Sequence, residues 1–197
     1  MVKNTYHHGN LKKAIINEAF NLLESKNYEE LSFRLIARNI GVVSSAPYNH
    51  FKNKNHLLQE IILVGGDKLL KKMKDEKEKS KIPSEQLFFV AKAYLNYATK
   101  NKALFRLMFG KANKELLYFT SKIVLQFEEI ISEKYKTGKR VKLTVKGSAI
   151  TAWSMVHGLA VMINNSEVNI LENIWKIKVE KLFKEMSAIW GKGVTYR

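Results

Sequence analysis

The stretch that decides the fold is Ser32-Phe33-Arg34-Leu35-Ile36-Ala37-Arg38-Asn39-Ile40-Gly41-Val42-Val43-Ser44-Ser45-Ala46-Pro47-Tyr48-Asn49-His50-Phe51. Ser32 stands where an N-cap belongs, ahead of an apolar-periodic run that begins at Phe33. The run stops at Gly41, a residue without a Cβ that can take positive φ and turn the chain. Beyond it, Ser44 can cap a second short helix with Pro47 in its first turn, where a missing N–H does little harm. Two short helices around a glycine turn read as a helix-turn-helix. Ile36, Ala37, Ile40, Val42 and Phe51 form its natural core, and Ala37 is small where the two helices cross.

Helical periodicity continues outward on both sides. Upstream, Leu11, Ile15 and Leu22 recur on one face of a helix over about 10–26, widened by Ile16, Phe20 and Leu23. Downstream, Asn53 can cap a helix beginning at Lys54 and running through Leu57, Leu58, Ile61, Ile62, Leu69 and Leu70. Gly65-Gly66 weakens that helix without ending it. The charge-dense run 71–81 reads as an exposed helix end and loop closed by Ile82-Pro83. Further helices are expected from Ser84 through Tyr97, over 104–109 up to Gly110, over 116–135, over 143–164 and over 167–190, with a basic loop at 136–142. No internal repeat, strand or hairpin stands out. The fold class is all-α with about nine helices. Two helical domains are expected, residues 1–56 around the helix-turn-helix and residues 57–197 beyond it.

Composition narrows the chemistry. Hydrophobic residues make up 46% of the 197, which is enough for a packed core, and only two prolines interrupt the helices. The absence of cysteine excludes disulfides, thiolate metal sites and cysteine nucleophiles, and it suits a reducing compartment. The first ten residues lack the apolar run of a signal peptide, and no apolar stretch of about 18 residues suggests a membrane span. A cytoplasmic protein is the expectation. The formal net charge of +16 favours polyanionic partners. It is not focused on the helix-turn-helix: eight Lys/Arg face four Asp/Glu in residues 1–56, against 26 and 14 in the remainder. Most of these lysines therefore belong to solvated helix faces. No nucleophile elbow, phosphate-cradling glycine loop or metal-binding His/Glu cluster is present, so neither an enzyme, a cofactor nor a metal is expected.

The segment over 5–58 resembles the DNA-binding domain of the tetracycline-repressor (TetR) family. The resemblance rests on Ile36-Ala37, Ile40-Gly41-Val42, Pro47-Tyr48-Asn49-His50-Phe51, Lys54 and Leu57. Tyr6-His7-His8-Gly9-Asn10-Leu11, the stretch Ala103 to Gly110 and the Trp…His-Gly signature within Ala152 to Leu159 are similar to one subgroup of it. One position departs from the pattern. Val43 stands where the family carries Ser or Thr as the cap of the recognition helix, so Ser44 or Ser45 is expected to take over.

The resemblance implies roles. Ser44, Ser45 and Asn49 face the major groove, where base edges carry a distinguishable donor and acceptor code. Tyr48, His50 and Lys54 contact phosphates, Lys54 with the help of the helix macrodipole. Arg34 reaches phosphate or a base edge, and Thr5, Tyr6 and His8 contact the flanking backbone. It also implies a small-molecule effector inside the C-terminal body, lined by Phe105, Met108, Phe109, Trp153 and His157, with Phe88, Tyr94, Phe119 and Phe127 as further candidates. The last two helices are apolar on more than one face, which requires burial on both sides. An isologous homodimer built on a four-helix bundle satisfies this and predicts a palindromic double-stranded operator. A repressor released by its ligand is the leading reading. A ligand-independent accessory factor and an activator of the same architecture stay open, as do operator, effector and regulated genes.

Overall fold

The computed structural model describes residues 8–110, 114–137, 143–165, 170–174 and 176–194. Among these the chain is all-helical. Its α-helices are α1 (His8–Ser25), α2 (Phe33–Asn39), α3 (Lys54–Lys77), α4 (Pro83–Lys100), α5 (Lys102–Phe109), α6 (Lys114–Thr137), α7 (Val145–Asn164) and α8 (Val179–Val194). Short 3-10 turns occupy Tyr28–Glu30 and Ala46–Asn49, and one π turn spans Ile170–Ile174. No described helix is long and apolar enough to cross a membrane.

The chain divides into two compact units. The first comprises residues 1–66 and 101–115, the second residues 67–100 and 116–197. The division falls within α3. The boundary expected after residue 56 lies in the first turn of that same helix, so no break in secondary structure marks it. The first unit also takes in α5, which packs on α1. Gly65 makes room for α5: a Cβ there would lie 3.1 Å from two methyl carbons of Leu104.

Several ends follow local chemistry. Ser32 accepts the amide of Leu35 at 3.2 Å and starts α2. Asn53 Oδ1 accepts the amide of His56 at 2.9 Å and starts α3. Thr144 Oγ1 accepts the amide of Gly147 at 3.0 Å and starts α7. The helix expected to open at Ser84 instead begins one residue earlier, with the Ile82 carbonyl accepting the amides of Glu85 and Gln86.

The last helix differs from expectation. Instead of one helix over 167–190, a π turn ends at Ile174 and α8 starts at Val179. Lys176 between them has a φ of 53°, and the amide of Ile177 donates to the carbonyl of Leu171 at 3.0 Å. A left-handed residue cannot continue a right-handed helix. Neither glycine nor proline marks this break, so sequence punctuation does not reveal it.

In the second unit α4 packs along α7. Asn164, buried at the end of α7, donates its side-chain amide to the carbonyls of Ala98 at 3.2 Å and Ala160 at 3.0 Å. Gly158 lies on α7 without a neighbouring side chain of the same chain among the described residues. It is exposed, and a Cβ there meets nothing within 4 Å.

Candidate functional site

The first unit builds a rigid presenting surface from a small core. Leu31, Phe33, Ile36, Ala37, Phe51 and Leu57 are buried, together with Pro47. Helix α2 ends in a complete Schellman motif: the amide of Gly41 donates to the carbonyl of Arg38, and that of Val42 to the carbonyl of Ala37. Gly41 carries a φ of 73°, which this motif requires at its position. The chain leaves α2 in a fixed direction and enters the segment expected to read DNA.

That segment is a single 3-10 turn, Ala46–Asn49, rather than a short α-helix. Its hydrogen bonds run from the amide of Tyr48 to the carbonyl of Ser45 and from that of His50 to the carbonyl of Pro47. The N-cap bond expected from Ser44 or Ser45 is not made: Ser45 occupies the cap position with helical backbone angles and no side-chain bond. The cause is local. Val43 has no hydroxyl to offer, its carbonyl accepts the amide of Ala46 instead, and Pro47 has no N–H to extend an i→i+4 ladder.

The expected contact residues are presented as follows. Arg34, Ser44, Ser45, Tyr48 and Asn49 are exposed on the same unit, and His50 is half-buried. Tyr48 is 61% exposed, yet its ring stands edge-on to Phe33 with centroids 4.8 Å apart. It therefore covers the core with one edge and offers its hydroxyl outward. His50 packs edge-on to Phe51. Lys54 Nζ donates to the backbone carbonyl of Glu29 at 2.6 Å, so in this state its ammonium braces the start of α3 against the Tyr28–Glu30 turn. Thr5 and Tyr6 lie outside the described residues.

Sequence reasoning passed over Arg38. It lies one turn after Arg34 on α2, and both line a surface groove with Ser32, Leu35, Val42 and Ser44. The four-residue spacing of the two arginines is the signal that finds it.

The five residues expected to line an effector site fall into two groups, one in each unit. Phe105 and Met108 are buried in the first, where Phe105 meets Phe109 at 4.7 Å between centroids. Trp153 and His157 are half-buried in the second, with their rings stacked at 5.1 Å. His157 Nδ1 shares a hydrogen bond of 2.7 Å with the hydroxyl of the buried Tyr94. Burial pushes the pKa of His157 below its ordinary value and that of Tyr94 above it, which favours neutral forms of both.

The second unit contains a cavity of about 100 Å³. None of those five residues lines it. Phe88 and Phe127, the further candidates, do, alongside Leu87, Val156, Phe183 and Trp190. The polar groups at its wall are Ser84, Lys134 and Ser187. Periodicity marks these positions as apolar without distinguishing a cavity wall from a filled core.

Known proteins agree with this architecture. Residues 15–61 match the family model described as bacterial regulatory proteins, tetR family, and residues 87–186 match the tetracyclin repressor-like C-terminal domain. An uncharacterized HTH-type transcriptional regulator of Haemophilus influenzae is 19% identical over 162 residues, which cover 82% of this chain and 78% of that protein. A protein of unknown function from Rhodococcus sp. RHA1 superposes with a TM-score of 0.83 at 22% identity, covering 98% of this chain and all of that one. The transcriptional regulator FadR from Bacillus subtilis, in complex with stearoyl-CoA, superposes with a TM-score of 0.71 at 15% identity, covering 92% and 98%. The chain belongs to the TetR family of transcriptional regulators. It is a DNA-binding helix-turn-helix regulator and not an enzyme.

Proposed function

We propose that this regulator is a cytoplasmic, homodimeric repressor that holds a palindromic operator through its first units and releases it when a small molecule enters its second units. The observation that carries the DNA reading is the 3-10 turn over 46–49. It rests on the buried Pro47 and Phe51 and leaves Ser44, Ser45, Tyr48 and Asn49 exposed. Arg34 and Arg38 stand beside it as phosphate partners.

The dimer reading is supported by surfaces that one chain leaves uncovered. Leu143, Ile150 and Ile189 are exposed near and along α7 and α8. On α7, Gly147, Thr151, Ser154 and Gly158 are exposed at helical spacing, a small-residue face that lets a second helix come close. The effector reading is supported by the cavity in the second unit and by the stearoyl-CoA held by the similarly folded B. subtilis regulator.

Selection of bound duplexes from a random pool, at stated salt, tests the proposal. Enrichment of one palindromic motif is the expected result. Binding without enrichment that collapses as salt rises would replace the repressor with a charge-driven accessory factor.

A further inference from the structure

The turn that leads into the helix-turn-helix has nothing of its own to bury. Tyr28–Glu30 contains no buried residue, and Asn27 at its cap position is exposed. The chain that follows it is tightly placed: Leu31 is buried, and Ser32 starts α2. Internal bonds give the turn its shape. The amide of Glu30 donates to the carbonyl of Asn27 at 3.1 Å, and the amide of Asn27 donates to Glu30 Oε1 at 3.1 Å. Such bonds do not say where the turn rests. Two cations from other parts of the first unit do. Lys54 holds the carbonyl of Glu29, and Arg106 Nη2 on α5 donates to Asn27 Oδ1 at 2.6 Å.

The arginine comes from a distant part of the chain, 79 positions after Asn27. Residues 101–115, which carry α5, are joined at both ends to the second unit yet belong to the first. The seat of α5 is apolar: Leu104, Phe105 and Met108 are buried, and the helix packs on α1 and on the Tyr28–Glu30 turn. Arg106 itself is half-buried. Its guanidinium cannot lose its charge, and a charge-assisted hydrogen bond is about twice as strong as a neutral one. A short bond of that kind, held by a helix seated in the core, ends on a turn that lacks an apolar anchor. It therefore sets the position of the turn.

Resting on the reading of 46–49 as the DNA-contacting segment, we propose that Arg106 is a positioning residue for DNA binding. By holding Asn27 it fixes the entry of α2, and with α2 the arginines Arg34 and Arg38 and the reading turn packed on that helix. Without the contact the first unit stays folded on its apolar core. The arrangement that a duplex accepts then becomes one of several, and the apparent affinity falls by the fraction of time it is populated.

The test compares the full-length parent with Arg106→Met, Arg106→Lys, Asn27→Ala and the Arg106→Met, Asn27→Ala pair. One readout is hydrogen exchange at the amides of Leu31 and Leu35, which the turn and the α2 cap engage. The other is affinity for the duplexes that the parent retains from a random pool, measured over a range of salt. Arg106→Met is expected to speed exchange at both amides about tenfold, well beyond any change at Ile15 and Ala19 in the buried face of α1. It should also weaken duplex binding about tenfold. The salt slope should stay at the parent value, because no phosphate contact is lost. A slope reduced by about one would mean that Arg106 itself meets phosphate, and would overturn the proposal. Arg106→Lys keeps a charged donor and should recover most of the affinity. Asn27→Ala should match Arg106→Met, and the pair should be no worse than either alone, the sign of one shared contact. Additive losses would overturn the proposal, as would equal acceleration at all four amides, which marks a general loss of stability. Faster exchange at Leu31 and Leu35 with unchanged duplex affinity refutes the role in binding. A parent that retains no duplex refutes the DNA-contacting reading of 46–49 instead, and exchange alone then decides whether Arg106 holds the turn.

Discussion

Replacing Gly41 asks whether the turn that aims the DNA-reading segment is held by backbone conformation or by packing. Gly41 has a φ of 73°. For a residue with a Cβ, the left-handed region costs about 1–2 kcal/mol. A Cβ built at this position meets no atom within 4 Å, so crowding adds nothing. Alanine also restricts the unfolded chain, which offsets part of that cost. The net expectation is a loss of about 1 kcal/mol for Gly41→Ala. Gly41→Asn should lose less, because asparagine tolerates this backbone region. Gly41→Leu and Gly41→Lys should lose about as much as alanine, since the space is open. The assay is urea unfolding followed by far-ultraviolet circular dichroism at one protein concentration. Intrinsic tryptophan fluorescence would miss the effect, because all three tryptophans lie outside the first unit. With slopes of about 1–3 kcal/mol per molar urea, the midpoint should fall by about 0.3–1 M. An alanine variant within about 0.3 kcal/mol of the parent would refute the conformational argument. A leucine variant clearly worse than alanine would show that packing, not φ, sets the requirement.

Other consequences follow from single contacts. Asn53→Ala removes the acceptor of the His56 amide and should cost about 1 kcal/mol in the same titration. Tyr48→Ala should reduce operator affinity about tenfold, with Tyr48→Phe intermediate, while the urea midpoint changes little because the ring is mostly exposed. Gly158→Arg places a charge where the single chain has open space, so the chain should stay folded and sediment as a monomer. Burial depresses the pKa of His157 below 6.5. The unfolded chain then takes up the proton first, so this contribution is complete above about pH 6.5 and is lost as pH falls below it. Urea midpoints measured from about pH 7.5 to about pH 5.5 should therefore decline in the parent and decline less in His157→Gln.

What could be read in advance and what could not divides along physical lines. Ser32, Asn53 and Gly41 act on backbone groups within five residues of themselves, and the sequence alone indicates their roles. The break at Lys176 depends on what the flanking residues pack against, and no glycine or proline announces it. The residues expected to line an effector site show the same limit more sharply. Phe105 and Trp153 look alike as aromatic residues on apolar faces, yet they belong to different units. Which aromatic faces an unfilled volume is a property of four helices together. Asn27 and Arg106 are 79 positions apart in the sequence. Only their proximity gives the arginine a meaning beyond that of the other basic residues.

The 3-10 winding of the reading segment has a consequence for the two serines. In an α-helix, residues four apart share a face, which would pair Ser45 with Asn49. In a 3-10 turn, side chains three apart eclipse, so Ser45 and Tyr48 form one row. Both are exposed, while Pro47 between them is buried. Tyr48 also packs edge-on against Phe33. Ser45 thus shares its row with Tyr48, whereas Ser44 lies before the turn begins. We propose that, of the two, Ser45 reads a base and Ser44 meets the backbone with Arg34 and Arg38 in the adjoining groove. Base contacts carry sequence information and phosphate contacts do not. Ser45→Ala should then relax the selected motif at one position, and Ser44→Ala should weaken all sequences alike.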